Sequence, residues 1–477
     1  MPSIHVLVIL VGLLLGRDLA QARGMADDAP AWQFVVAIAW TAAVAGVAMV
    51  ALPACARAAA YRGSWRLLQH GLGLAQKLRW LVVLPFAAWS ISVDGVGAVE
   101  ALIGPWVGLD EALAATPPVL ALLAITWAEH PLHDRMRQAM LVRQLDRGGA
   151  VELAPTRLEA TVGRARAMLA MPLVPVLLVV CWHETVEVML GGRAPWIWRA
   201  IDIAGTIAIV CIAPAIVVRV LGTTPLRSGG FGERIDELCR DMGARVTGVR
   251  VWSHPSANAA VLGLLPWARY MLVTEPLLDG MPRHELDAVV AHELAHVRQH
   301  HVLWIVLAML GIVMTLGLLE PIIGAAARSV CVGAGLAGFL ALVIVVVVAV
   351  LAFGMVSRLI ERHADARAAV VVGAHRAIDE GEDEGEDDDR VHPSGPQTMA
   401  AALDRVCALN GVDPNRWGFR HGSVRQRQRA LAGLVGARAD RLPVDRAVGK
   451  LRLATLLTLT AAGSLTLLGL WRGWFYV

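Results

Sequence analysis

His292-Glu293-Leu294-Ala295-His296 is the stretch on which the reading of this chain turns. Two imidazoles four residues apart fall on one face of an α-helix, one turn apart. That spacing lets a nitrogen from each ring bind one Zn²⁺ at about 2.0–2.1 Å. Glu293, beside the first histidine, can reach a zinc-bound water and take its proton. The flanks suit a helix: Arg283 to Val297 holds neither Pro nor Gly, and its apolar residues recur at helical spacing. An ordinary amphipathic helix can match these five residues by chance, so the rest of the chain has to decide.

Of the 477 residues, 56% are hydrophobic and only 17% charged, a balance that excludes a string of soluble domains. Several apolar runs approach or exceed the roughly 20 residues needed to cross a bilayer. The expected fold is therefore mainly α: a polytopic membrane helix bundle with a small α+β zinc-peptidase domain containing a short β-sheet. The net charge of +3, with no nucleic-acid motif, gives no case for a nucleic-acid partner. Lys77 and Lys450 are the only lysines among many arginines, the coding habit of a GC-rich bacterial genome. With the apolar spans, the expected location is a bacterial inner membrane. None of the six cysteines forms a C-x-x-C pair, which leaves no disulfide framework and no cysteine zinc site.

Residues 1–31 form a first segment. Ile4 to Leu15 has the length of a signal-peptide core, and Ala20-Gln21-Ala22 resembles a cleavage site. The charged leader is missing, so an uncleaved short span remains open. Residues 32–221 read as a transmembrane bundle with spans over Trp32–Ala54, Trp80 to near Ile103, Ala112–Ala128, Met168–Leu190 and Ala200–Leu221. Pro117-Pro118 marks a kink or a start. The connectors 54–79 and 129–167 are rich in Arg, and the one at 104–111 is acidic. The positive-inside rule puts the basic connectors in the cytoplasm, with 222–301 beside them.

Residues 222–451 read as a cytoplasm-facing domain, interrupted by a transmembrane hairpin (302–356) and an acidic loop (376–396). Glu233–Met242 reads as a helix; Val246–Trp252, Ala259–Leu265 and Tyr270–Thr274 read as strands. The helix carrying the two histidines is expected to run on past His300 and His301 into the apolar run Val302–Leu319 and to end at Pro321. Gly229, Gly230 and Gly232 precede no Lys-Ser/Thr, so they make no phosphate cradle. The acidic block has no EF-hand spacing and reads as a solvated, disordered loop. Residues 452–477 are the last span.

A catalytic zinc needs a third protein ligand and an open position. From His296 to Pro321 is about 25 residues and from Gly333 to Glu361 about 28, roughly 37 Å and 42 Å of helix. A helical hairpin of that size returns Glu361 to nearly the depth of His296. Asp365, one turn on, lies on the same face and could accept the second N–H of a zinc-bound histidine. The plainer alternative is that both acids only solvate a helix end beside Arg358 and Arg362.

The first motif, the hairpin and then Ser357-Arg358-Leu359-Ile360-Glu361-Arg362-His363-Ala364-Asp365 together resemble the integral-membrane zinc peptidases of the HtpX and CAAX-prenyl-endopeptidase type. So do Asn258-Ala259-Ala260, Val273-Thr274-Glu275-Pro276-Leu277-Leu278, and His421-Gly422-Ser423 with Arg427 after it. The resemblance covers about residues 230–430. The family pattern more often has Pro where Gly422 stands, and the many N-terminal spans exceed its minimal layout. The resemblance implies one zinc per chain on His292, His296 and Glu361. It also implies Glu293 as general base and acid, Asp365 orienting a ligand, and Asn258 on a substrate-holding strand edge. His421 and Arg427 would stabilise the tetrahedral oxyanion, unless they are only part of a basic segment.

These readings lead to a membrane-embedded zinc endopeptidase acting on protein or peptide substrates at the cytoplasmic face, in contact with the lipid bilayer. The alternative is a membrane sensor or signalling component with a restricted or vestigial peptidase domain. Nothing in the sequence sets the oligomeric state.

Overall fold

Backbone N–H and C=O groups find no partner in a hydrocarbon layer, so long apolar runs are stable there only as helices that pair those groups internally. The structure is a computed structural model. It describes the chain apart from residues 1–2, 23–30, 105, 146–155, 191–194, 227–229, 255, 331–333, 380–388 and 472–477. Seven described helices are long and apolar enough to cross a membrane: Trp32–Arg62, Leu109–Met136, Arg157–Leu190, Ile197–Val220, His301–Leu319, Val343–Ile378 and Pro443–Gly469. The fold is mainly helical with one small sheet, in agreement with the composition. The chain forms two compact units, Met1–Thr223 and Thr224–Val477.

The described elements of the first unit are all helices: α1 (Ser3–Ala22), α2 (Ala31–Arg62), α3 (Trp65–Val93), α4 (Gly97–Ile103), α5 (Leu109–Ala128), α6 (His130–Leu145), α7 (Arg157–Leu190) and α8 (Pro195–Val220). The signal-like α1 is part of this core. Val6, Ile9 and Leu13 pack with Val83 and Phe86 of α3, Leu122 of α5 and Met168 of α7. Gly12 and Gly16 let α1 and α3 touch backbone to backbone, since a Cβ on Gly16 would overlap the Ser90 carbonyl. Arg17, the next residue, pairs with Glu100 at 2.9 Å, Glu111 at 2.5 Å and Glu184 at 3.3 Å. Charges inside such a bundle persist by pairing with one another.

The span expected from Trp80 to Ile103 is two helices. Asp94 takes a left-handed φ of 50° and its Oδ1 accepts from the Gly97 N–H at 2.9 Å, a local turn that ends α3 and starts α4. Pro117 and Pro118 lie inside α5, not at its start. The connector expected over 129–167 is helical at both ends.

The second unit contains β1 (Thr224–Pro225), α9 (Gly230–Asp241), β2 (Gly248–Trp252), β3 (Ala259–Leu262), β4 (Tyr270–Thr274), α10 (Glu275–Gly280) and α11 (Arg283–Arg298). It continues through α12 (His301–Val330), α13 (Ala334–Asp379), α14 (Ser394–Leu409), α15 (Val424–Ala432) and α16 (Pro443–Trp471). The sheet order is β1-β2-β4-β3, with β2 parallel and β3 antiparallel to β4, which leaves β3 on an edge.

Two expectations about the helices fail. α11 does not run on into the membrane: it stops at Arg298, and exposed His300 adopts a left-handed φ of 54° before α12 starts at His301. α12 then continues past Pro321 to Val330, a tolerance common in membrane helices. The acidic loop is narrower than 376–396. Residues 376–379 are the end of α13, and Val391 is buried, its N–H bonded to the Ala437 carbonyl at 2.8 Å. The block 380–388 lies outside the described residues.

α11 and α13 meet along a seam of small side chains: Ala288, Ala291 and Ala295 face Ala364 and Ala368, all buried in one core. Alanine lets helix axes approach closely, so longer side chains at the rim of the seam are forced together. His292, His296, Glu361 and Asp365 stand at that rim.

Candidate metal centre

The Nε2 atoms of His292 and His296 face each other at 3.2 Å. Glu361 offers Oε2 at 3.6 Å from the first and Oε1 at 3.8 Å from the second. All three ligand atoms lie within 4.8 Å of one another. Two nitrogens bound at the usual zinc distance in a tetrahedron stand about 3.3 Å apart, so the spacing fits one ion. Two imidazoles and one carboxylate are the donor set of catalytic zinc sites that keep a fourth position open. Burial holds His296 down to about 3, His292 adding to the fall, so its ring is neutral and has a lone pair to give. Two further carboxylate-rich groups occur among the described residues, Glu237–Asp241–His375 and Asp110–Glu111–Glu184, and neither pairs two imidazoles.

Asp365 Oδ1 stands 3.0 Å from His292 Nδ1. The Asp365 carboxylate is held in turn by Arg427, whose Nε and Nη2 donate to its two oxygens at 2.7 and 2.5 Å. This fork places Arg427 differently from the sequence reading. Its guanidinium is buried, with Nε and Nη2 on Asp365 and Nη1 3.6 Å from Glu361, so it anchors the metal-facing acids. Arg427 reaches them because α15 starts in a capping box of Ser423 and Gln426, which fixes its first turn. His421 is more open, 40% exposed, with Nδ1 2.9 Å from Glu361 Oε2. Gly422 takes a φ of 71°, which proline cannot adopt, so this turn departs from the pattern that carries Pro there.

Glu293 projects beside the pair, near the main chain of Val261. Burial pushes Glu293 up to about 7, the charge of Glu361 adding to the rise and His292 opposing it. A carboxylate poised there can both take and return a proton near neutrality. Asn258 is exposed at the foot of β3. Its carbonyl accepts from the Thr274 N–H at 3.0 Å and its N–H donates to Thr274 Oγ1 at 2.8 Å. Asn258 thus ties the strand to β4. By the two-residue period from the Asn258–Thr274 pair, Ala259 and Val261 turn their main-chain groups to the free edge.

Sequence reasoning passed over three residues behind the site. His301 Nδ1 lies 3.0 Å from His296 Nδ1, His301 Nε2 lies 2.9 Å from His363 Nδ1, and His363 Nε2 lies 3.1 Å from Asp445 Oδ1. His301, which the sequence reading placed only as a residue along a continuous helix, is buried.

With this geometry in hand, comparison with known proteins is informative. Residues 225–380 match the model of peptidase family M48. A protease HtpX homolog of Acidiphilium cryptum is 28% identical over 195 residues, covering 39% of this chain and 67% of that protein. Another, from Lactobacillus acidophilus, is 32% identical over 146 residues, covering 29% of this chain and 48% of its own length. The crystal structure of S. mikatae Ste24p aligns with a TM-score of 0.40 at 15% identity, over 82% of this chain and 98% of that one. These two relatives are matched over about half to two thirds of their length. The motif, its return carboxylate and the sheet edge of this integral membrane protein all fall inside residues 225–380, the segment that is similar to peptidase family M48.

Proposed function

We propose that the protein is a membrane-embedded zinc endopeptidase that hydrolyses peptide bonds of membrane or membrane-associated proteins. The observation that carries this reading is the meeting of His292, His296 and Glu361 around one point, with Glu293 between that point and a free strand edge. One zinc ion per chain, held by those three side chains, supplies a Lewis acid for the scissile carbonyl. Glu293 takes a proton from the attacking water and delivers it to the leaving amine. Asp365, held by Arg427, keeps His292 turned toward its partner ligands. An extended substrate pairs with the outward main-chain groups of Ala259 and Val261, which sets its scissile bond beside Glu293. His421, the exposed donor at the rim, faces the developing oxyanion.

The basic connectors motivate a cytoplasmic orientation for this site in a bacterial inner membrane. Labelling a single cysteine placed at the exposed Asn258 with a membrane-impermeant reagent tests it: protection in intact cells is expected, and labelling there reverses the orientation. For the chemistry, Glu293→Gln in purified protein is expected to keep its zinc and to lose peptide cleavage by about 10²–10⁴-fold. Undiminished cleavage by that variant would remove Glu293 from the reaction.

A further inference from the structure

A neutral imidazole has one N–H and one lone pair, so a file of histidines can be assigned from its end. Here the end is Asp445. Its Oδ2 accepts from the Arg367 Nη2 at 2.7 Å and from the Leu442 N–H at 2.9 Å, which marks an ionised carboxylate. His363 therefore carries its proton on Nε2, facing Asp445 Oδ1, and turns a lone pair on Nδ1 to His301. His301 must then donate from Nε2 and accept on Nδ1. His296 in turn donates from Nδ1, and its Nε2 is left as a bare lone pair aimed at His292 and Glu361. Each ring has one proton, each proton one acceptor, and only this direction satisfies all three links.

We infer that His301, His363 and Asp445 form a one-way hydrogen-bond relay that locks His296 in its metal-binding tautomer and couples the metal centre to the seating of α16. This rests on the zinc reading above. His301 and His363 are buried, at 1% and 2% exposure, so an interrupted link between them leaves a buried polar atom without a partner. The corner at His300 is what makes it possible. On a straight helix His301, five residues after His296, would point about 140° away from it. The left-handed residue turns the chain so that the first residue of α12 comes back under the second metal-facing histidine. The same corner is held from α16, where Arg452 donates to the Gln299 carbonyl at 3.0 Å and lies over the Trp304 ring. Asp445, in the first turn of α16, closes the circuit.

His301, His363 and Asp445 are positioning residues: they act on the ion through His296. The test uses the full chain in detergent, with zinc affinity measured by competition with a chromophoric chelator and the visible spectrum of the cobalt-substituted protein recorded alongside. His301→Phe and Asp445→Asn are expected to weaken zinc binding by about 10–100-fold and to shift the cobalt bands. KM should stay near the wild-type value while kcat falls. Asp440→Asn, at an exposed acid in the segment just before α16, should leave the affinity and the spectrum unchanged. Asp445→Asn retains the side chain's shape, so it reads the relay even if His301→Phe fails to fold. Wild-type affinity and an unshifted spectrum in Asp445→Asn, with zinc tightly held by the parent protein, would overturn the relay alone. A parent protein that holds no zinc would overturn the metal centre and this inference together.

Discussion

At the scale of single residues, Arg427 organises more of the site than its distance in sequence suggests. It is 9% exposed and forks both oxygens of Asp365. Removing it strands a buried carboxylate, and breaking such a pair costs about 3–5 kcal/mol. Arg427→Ala is therefore expected to lower the denaturation midpoint and to release zinc during purification, read by melting and by metal analysis. Arg427→Lys keeps the charge and loses the fork, so it should fall between the two. His292, Glu293, His296 and Glu361 were legible in the sequence because helical spacing and hairpin length place them by arithmetic. Arg427 was legible only as a neighbour, since what it touches depends on the docking of α15. His301 was misread because its place behind His296 needs a backbone corner that no periodicity announces.

At the scale of elements, β3 makes the most specific demand. Val261 turns its N–H to the open edge, so proline there removes no bond to β4. Val261→Pro is expected to fold and bind zinc, yet to raise KM for a peptide substrate by about tenfold or more, as lost main-chain pairing would. Unchanged KM would show that substrate does not add to this strand. In the first unit the crossing of α1 and α3 depends on Gly16. Gly16→Leu forces a side chain into the Ser90 backbone, and overpacking of this kind costs about 1–3 kcal/mol. A lowered melting temperature in detergent is the expected readout. The sequence marked α1 only as apolar and short; that Val6, Ile9 and Leu13 belong to a core follows from neighbours that lie 70 or more residues away.

At the scale of the whole molecule, the helical class and the small sheet could be read from composition and from the change in periodicity after Gly222. The division of the chain into two compact units follows packing, which composition only hints at. If zinc carries the chemistry, stripping it with 1,10-phenanthroline should abolish cleavage, and stoichiometric zinc should restore it, while magnesium should not. Recovery with magnesium alone would contradict the nitrogen-rich donor set. The described helices of the first unit raise a second question, whether they restrict what the proposed peptidase cuts. Wild-type cleavage of unrelated peptides and of one membrane protein at equal rates would argue against such restriction.

The open side of β3 has a consequence for selectivity. A strand of four residues offers only Ala259 and Val261 outward, and both have small side chains. Main-chain pairing at such a ledge is indifferent to which amino acids arrive. It does discriminate by conformation: a polypeptide already committed to its own sheets and helices has no unpaired stretch to lay down. If substrate adds to this strand as proposed, the ledge would sort its clients by whether they have come undone, and a loosened protein would be cut where an intact copy of the same sequence is passed over.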